Sequence, residues 1–245
     1  MRSIFEEFDD SDSEEEDGDE QQQSSTAIST SQLRQFVIQE YISNPLLIDP
    51  TNKNQQFHKF HLRVYVLCVG SIKVYMPKDM LALFASKSYK EPNEDQSLLS
   101  HLTNSCLQGE NMDRTTFVKS INELEGLKSS DGSVITKQRI NNWVESSSKV
   151  IGQCVKGAIE SGSVNFQPIP NSFEVFGVDL LITDNDEVKL LEFNGCPDFG
   201  QTGDRLSYIV DDVIDLSFGL FLNRGSKEHK DNYLKCLEFE FRRGW

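Results

Sequence analysis

The chain has 245 residues, and 24 Lys+Arg against 39 Asp+Glu give it a formal charge of -15. Eleven acids and one base fall in residues 1–20, leaving 28 acids and 23 bases elsewhere, so most of the excess belongs to a solvated end that cannot pack a core. At 37% hydrophobic with 16 Phe, the rest can bury a core, which excludes wholesale disorder. No window reaches the roughly 18 apolar residues of a membrane span, and no Lys/Arg cluster marks direct nucleic-acid binding. The five cysteines (Cys68, Cys106, Cys154, Cys196, Cys236) are odd in number, scattered and without a CxxC pair. That excludes a disulfide scaffold or zinc ribbon and fits a reducing, cytoplasmic setting.

Residues 1–32 are low-complexity, acidic and then Gln- and Ser/Thr-rich, and read as a disordered segment. Ser11 and Ser13 each have an acid three residues on, the pattern an acidophilic kinase uses, although a plain solvated tail is the favoured reading. Order is expected from Leu33, with residues 33–245 as one domain. Phe36–Ile42 is rich in β-formers and stops before Asn44-Pro45, so it is predicted to be a strand. Residues 50–56 are a polar loop. Phe60–Val69 is a long strand, turning at Gly70-Ser71 into Ile72–Met76 as a hairpin. Asp113–Leu127 is predicted as a short helix. Thr136–Ser161 is the longest helix, with Ile140, Trp143, Val144, Ile151, Val155 and Ile159 near a 3.6 period and Gly162 as its stop. Phe173–Thr183 and Val188–Asn194 form a second hairpin about the turn 184–187. Asp204–Leu222 is a closing amphipathic helix, and Leu237–Phe241 alternates as an edge or partner-binding strand.

The second hairpin carries the chemistry. A two-residue loop at Asn185-Asp186 sets Asp184 opposite Glu187, which puts Asp179 opposite Glu192 and Gly177 opposite Asn194. Side-chain alternation keeps Glu192 and Asn194 on one face. Two carboxylates facing each other between apolar strands repel and are costly to bury, so a cation is expected between them. Two carboxylates and an amide oxygen suit Mg²⁺, with Gly177 leaving room for a ligand. The bland alternative is an exposed hairpin face whose acids point to water. His58 and His61, three apart on a strand, point to opposite faces and are not expected to share a metal. Cys196 lacks an activating base and is expected to be a buried thiol, and Trp143 is expected in the core.

Five stretches together resemble the tubulin-tyrosine-ligase-like family of the ATP-grasp superfamily: Phe36–Ile42, Lys59–Leu67, His101–Asn104, Phe173–Asp179 and Leu191–Gly195. They occur in the family's order, and a fungal branch associated with cytoplasmic mRNA-processing bodies is the nearest likeness. The resemblance implies an α+β, ATP-grasp-like fold with a mainly antiparallel sheet flanked by helices. It implies an ATP-dependent carboxylate–amine ligase that adds an amino acid to a protein or peptide through an acyl-phosphate intermediate, with ATP and Mg²⁺ as cofactors. Gln39, Glu40, Tyr41 and Ile42 would meet the adenine. Lys59, binding the nucleotide, and Arg63, the catalytic residue, would face ribose and phosphates or the incoming carboxylate, and Thr103 and Asn104 would bond near the phosphates. Asp179, Glu192 and Asn194 match the metal ligands. Tubulin tails are the family's acceptor, and mRNA-processing-body proteins are partners in the fungal branch.

Three positions depart from the family pattern. His61 stands where an acid is usual between the lysine and the arginine. Leu83 stands where an arginine is expected. The upstream segment with its own phosphate-binding lysines is expected to be missing, so the chain reads as the central and C-terminal part of the domain. These departures leave a second reading open, a catalytically degenerate ATP-grasp module acting in protein interaction, and a third, a non-functional partial product.

Overall fold

The computed structural model describes residues 38–53, 55–93, 98–103, 114–161, 166–199, 208–222 and 231–239. The expected acidic segment, Asn104, Gly162 and Phe241 lie outside them. Two compact units are present, residues 1–41 and 42–245. Within the first, Ile38–Tyr41 is described and carries no strand, with Ile38 90% exposed. The expected strand over Phe36–Ile42 is therefore not found in its described part. Residues 38–41 are exposed, so this described part has no buried face for a strand to pack.

One long strand organises the second unit. This strand, β2 (His58–Val69), is buried throughout except at Lys59. Its chain-order neighbours are β1 (Leu47–Ile48), β3 (Lys73–Pro77), β4 (Leu81–Phe84), β5 (Val118–Ser120), β6 (Phe173–Ile182), β7 (Val188–Asn194) and β8 (Tyr233–Glu238). Strand β2 pairs with β4 over Phe60–Arg63 and with β3 over Leu67–Val69. It also pairs with β6 over Leu62–Val69 and with β1 at His58 and Lys59. Strand β5 extends the sheet from β4, β8 from β3, and β7 from β6. Among the described residues every pairing is antiparallel, as the α+β expectation requires.

The helices are α1 (Leu98–His101), α2 (Arg114–Phe117), α3 (Lys137–Ser161) and α4 (Tyr208–Leu222), with a 3₁₀ turn at Ile121–Leu124. Helix α3 starts where Thr136 accepts the Arg139 N–H through its hydroxyl (3.2 Å). All six of its expected apolar positions are buried, on the sheet face that also carries Phe60, Leu62, Val64 and Val66. Each such side chain contributes about 1.5–3 kcal/mol of burial. Helix α4 covers part of the other face, placing Ile209, Val213 and Leu216 against Tyr65, Leu67 and Val69.

Three differences from the sequence reading have physical causes. The predicted helix over Asp113–Leu127 is instead α2, then β5, then the 3₁₀ turn. Ser120 and Glu123 form a capping box that starts the turn, and β4 takes Val118–Ser120 as its edge partner. Strand β4 itself was not anticipated. All four of its residues are buried, so it shows no alternation to read. The hairpin turn also differs, because Thr183 N–H donates to Glu187 O (2.9 Å) and Asp186 N–H to Thr183 O (3.0 Å). The loop thus has three residues, with Asp186 left-handed at φ 65°. Ile182 faces Val188 as a result, one residue short of the expected register. A bulge between Asp179 and Leu180, with Leu191 as the extra residue, restores the offset. Asp179 then faces Glu192 and Gly177 faces Asn194. The expected pairing holds by two departures that cancel.

Candidate functional site

Alternation along β2 turns Lys59, His61 and Arg63 to the same face as Tyr65, ahead of the part that α4 covers. Strand β6 brings Asp179 directly beside Arg63, since the two are Cα partners. Arg63 Nε donates to Asp179 Oδ1 at 2.5 Å and Nη2 donates to Oδ2 at 3.0 Å. Asp179 is 2% exposed and Arg63 9%. Such a fork-to-fork pair is the geometry that makes a buried carboxylate tolerable. Burial works to lower the Arg63 guanidinium, and the hydrogen bond and charge of Asp179 reverse this, leaving it raised. The cation expected between the carboxylates is thus supplied for Asp179 by Arg63.

Glu192 faces Asp179 from β7 but is exposed, because β7 is only half covered. Burial of the carboxylates is therefore one-sided, and the exposed-face alternative holds for Glu192. Two residues on, Asn194 Nδ2 donates to Gly177 O (3.3 Å) and Glu192 Oε1 (3.2 Å). Its amide oxygen is left as the acceptor. Gly177 does not open space for a ligand, since a Cβ there would lie 2.9 Å from Pro197 Cβ and 3.5 Å from Arg63 Cδ. The close approach serves the arginine stem and the loop after β7.

His61 sits between Lys59 and Arg63, 2% exposed. Its Nδ1 lies 2.5 Å from the Thr103 hydroxyl, just after α1. Its Nε2 lies 3.6 Å from Asp179 Oδ1 and has no hydrogen-bond partner. Burial, reinforced by the Arg63 charge and opposed by Glu192, pulls this imidazole down to about 3. Burial likewise draws Lys59 down to about 8. Sequence reasoning treated His61 as a departure from the family pattern and set it aside as a metal ligand. Its place in the alternating run Lys59-His61-Arg63 was the signal that it belongs to the site. His58 points the other way, its Nδ1–H donating to Ala85 O (2.8 Å) and its ring packing on Phe117.

The structure thus gathers Lys59, Arg63, Thr103, Asp179, Glu192 and Asn194 about one sheet face. Gln39, Glu40 and Tyr41 belong to the separate first unit, and Ile42 opens the second. Leu83 faces His61 across β4 and is 1% exposed, packed in the core under α4. Cys196 is exposed rather than buried. Trp143 is fully buried, with its indole N–H donating to Asp186 Oδ1 (2.9 Å).

The donor set tests whether magnesium suits the site. Asp179, Glu192 and the Asn194 amide offer only hard oxygen atoms. Among the described residues no three His, Cys, Asp or Glu side chains gather for a metal, so the set here is limited to two carboxylates and one amide. Each Asp179 oxygen accepts one arginine N–H and retains a further lone pair. The residues fit a magnesium ion that keeps water and takes oxygens from another molecule.

Residues 15–229 match the tubulin-tyrosine ligase family. The chain belongs to this family. Among relatives it is 35% identical to the probable tubulin–tyrosine ligase PBY1 of Saccharomyces cerevisiae, over all of this chain and 34% of that protein. It is 37% identical to a probable tubulin–tyrosine ligase of Schizosaccharomyces pombe, over 96% of this chain and 56% of that one. The chain therefore spans between a third and somewhat over half of these relatives. The solved C-terminal domain of K. lactis Pby1, an ATP-grasp enzyme interacting with the mRNA decapping enzyme Dcp2, superposes with a TM-score of 0.62. Identity is 29%, covering 82% of this chain and 52% of that domain. This family member is ATP-grasp-like in fold.

Proposed function

We propose that this chain carries the cation- and substrate-facing part of an ATP-dependent carboxylate–amine ligase that joins an amino acid to a protein or peptide. The observation that carries this reading is the row Glu192–Asp179–Arg63 across three adjacent strands, with Asn194 on the same face. Bound ATP with Mg²⁺ would supply the phosphoryl group that activates a carboxylate. Asp179, Glu192 and the Asn194 amide oxygen would hold the metal. Lys59 and Arg63, four residues apart on one face, would hold anionic oxygens and orient the acid to be activated, while Thr103 bonds near them. Such a site works by positioning and charge, without a Ser, Cys or His nucleophile. On the same reading residues 33–245 are the ligase domain and residues 1–32 a solvated acidic segment. Gln39, Glu40, Tyr41, Ile42 and Asn104 complete the nucleotide contacts, and the setting is cytoplasmic. A tubulin tail is the acceptor that the family supports.

The test is calorimetry of ATP binding with and without Mg²⁺. The wild-type chain should bind ATP only with the metal, and Glu192→Ala should abolish that binding while changing stability by no more than about 0.5 kcal/mol, because Glu192 is exposed. A folded wild-type chain that binds no ATP would sink the reading.

A second reading is supported by one observation. Arg63 engages both Asp179 oxygens, so the pair is satisfied within the fold, as in a site kept only for its packing. The chain would then be a binding module for a decapping or mRNA-processing-body protein, the partner class that the solved Pby1 domain's description supports. ATP binding without ADP production on any acceptor would favour it.

A further inference from the structure

His61 carries a polar atom that the described contacts leave unused. Its Nε2 is sealed from solvent and has no hydrogen-bond partner. The nearest acceptor in the fold is therefore the candidate partner. The acceptor beside it is Asp179 Oδ1 at 3.6 Å, already bonded by Arg63 Nε at 2.5 Å. On the far side of the ring, Nδ1 meets the Thr103 hydroxyl at 2.5 Å. Two tautomers are conceivable, and the surroundings choose between them. A bare Nε2 would turn a lone pair toward a carboxylate, whereas an Nε2–H turns a donor toward it. The Thr103 hydroxyl can then donate to the bare Nδ1, so both ring nitrogens are used coherently. With Thr103 donating to Nδ1, the ring carries a single proton, on Nε2, and is neutral.

We infer that His61 is a positioning residue for Asp179, a neutral Nε2–H donor held by Thr103 that takes up Oδ1 when the carboxylate turns from Arg63 toward a cation. The 3.6 Å separation is the waiting state of this bond. Asp179 has two donors for one oxygen, Arg63 now and His61 when Arg63 moves to an anionic ligand. The carboxylate thus never loses a buried partner as its load changes. A neutral donor suits this task, because a second buried cation beside Arg63 would weaken the carboxylate's hold on a metal. Ring donors behind metal-binding groups play the same part elsewhere, and losing one costs metal affinity about 10–100-fold. The inference rests on the ligase reading for the cation, though the tautomer does not.

Two measurements on the 245-residue chain test it. Long-range ¹H–¹⁵N spectra of histidine-labelled protein should show His61 as the Nε2–H tautomer, with the proton moving downfield when MgATP is added. An Nδ1–H tautomer, or a proton that does not move on saturation with MgATP, would overturn the inference. In calorimetry, His61→Phe should weaken Mg²⁺-dependent ATP binding by about tenfold or more. His61→Gln, whose amide can reach the Nε2 position, should stay within about threefold. Equal loss in both variants would mark a packing role and overturn the inference, as would full affinity in a folded His61→Phe. Should His61→Phe not fold, the tautomer spectrum and His61→Gln still decide. A wild-type chain that binds no MgATP but shows the Nε2–H tautomer would defeat the ligase reading and the cation step together, leaving only the donor assignment standing.

Discussion

At the scale of single residues, the balance of the site is set by which charges are buried and which are not. Asp179 and Arg63 are both buried and bonded twice, whereas Glu192 is exposed. Removing one partner of a buried pair strands the other charge, at a cost of about 3–5 kcal/mol. Arg63→Leu should therefore lower stability by roughly that amount in urea denaturation. The double variant Arg63→Leu, Asp179→Leu should regain much of the loss, because no charge remains to be solvated. A single variant as stable as wild type would show that Asp179 finds another cation or water. The alternating pattern made the facing carboxylates legible in the sequence. It could not show that their masking cation sits on the neighbouring strand β2, a contact between residues 116 apart in the chain.

At the scale of elements, helix α3 and strand β8 meet so closely that only glycine fits between them. A Cβ on Gly152 would lie 2.4 Å from Cys236 O, a backbone atom that cannot swing aside. Gly152→Ala should destabilise by about 1–3 kcal/mol by pushing the helix off the sheet. Gly157, five residues on in the same helix, meets nothing within 4 Å. Gly157→Ala should instead stabilise by about 0.4–1 kcal/mol through helix propensity and a less flexible unfolded chain. Denaturant midpoints of opposite sign for two glycine-to-alanine changes in one helix would bear this out, and equal effects would refute it. The length and apolar face of α3 were legible because its 3.6 period is sustained over 25 residues. Strands β4 and β5 were not, because four- and three-residue strands buried in a sheet show too little pattern to separate from turn or helix.

For the whole molecule, two buried imidazoles tie stability to pH. Burial lowers the pKa of both His58 and His61, the latter to about 3. The folded state therefore binds fewer protons than the unfolded chain, whose histidines titrate near 6.5. Their contribution is complete above about pH 6.5 and fades as the pH falls below it, down to about pH 3 for His61. Each can contribute up to about 1.4 kcal/mol per pH unit in that window. Unfolding free energy measured by urea at pH 7.5, 6 and 5 should fall with pH, and a flat profile would contradict the burial of both rings. By itself the sequence determined the long helix, the central strand, the second hairpin and membership of a family, because each rests on a periodicity or motif local in the chain. Only the tertiary structure decided that Arg63 masks Asp179, that Glu192 faces water, that His61 lies buried against Thr103 and Asp179, and that a bulge at Leu191 corrects the register of a three-residue turn. Those outcomes depend on which strands lie side by side and which faces the helices cover, and no residue pattern along a single strand encodes its neighbours.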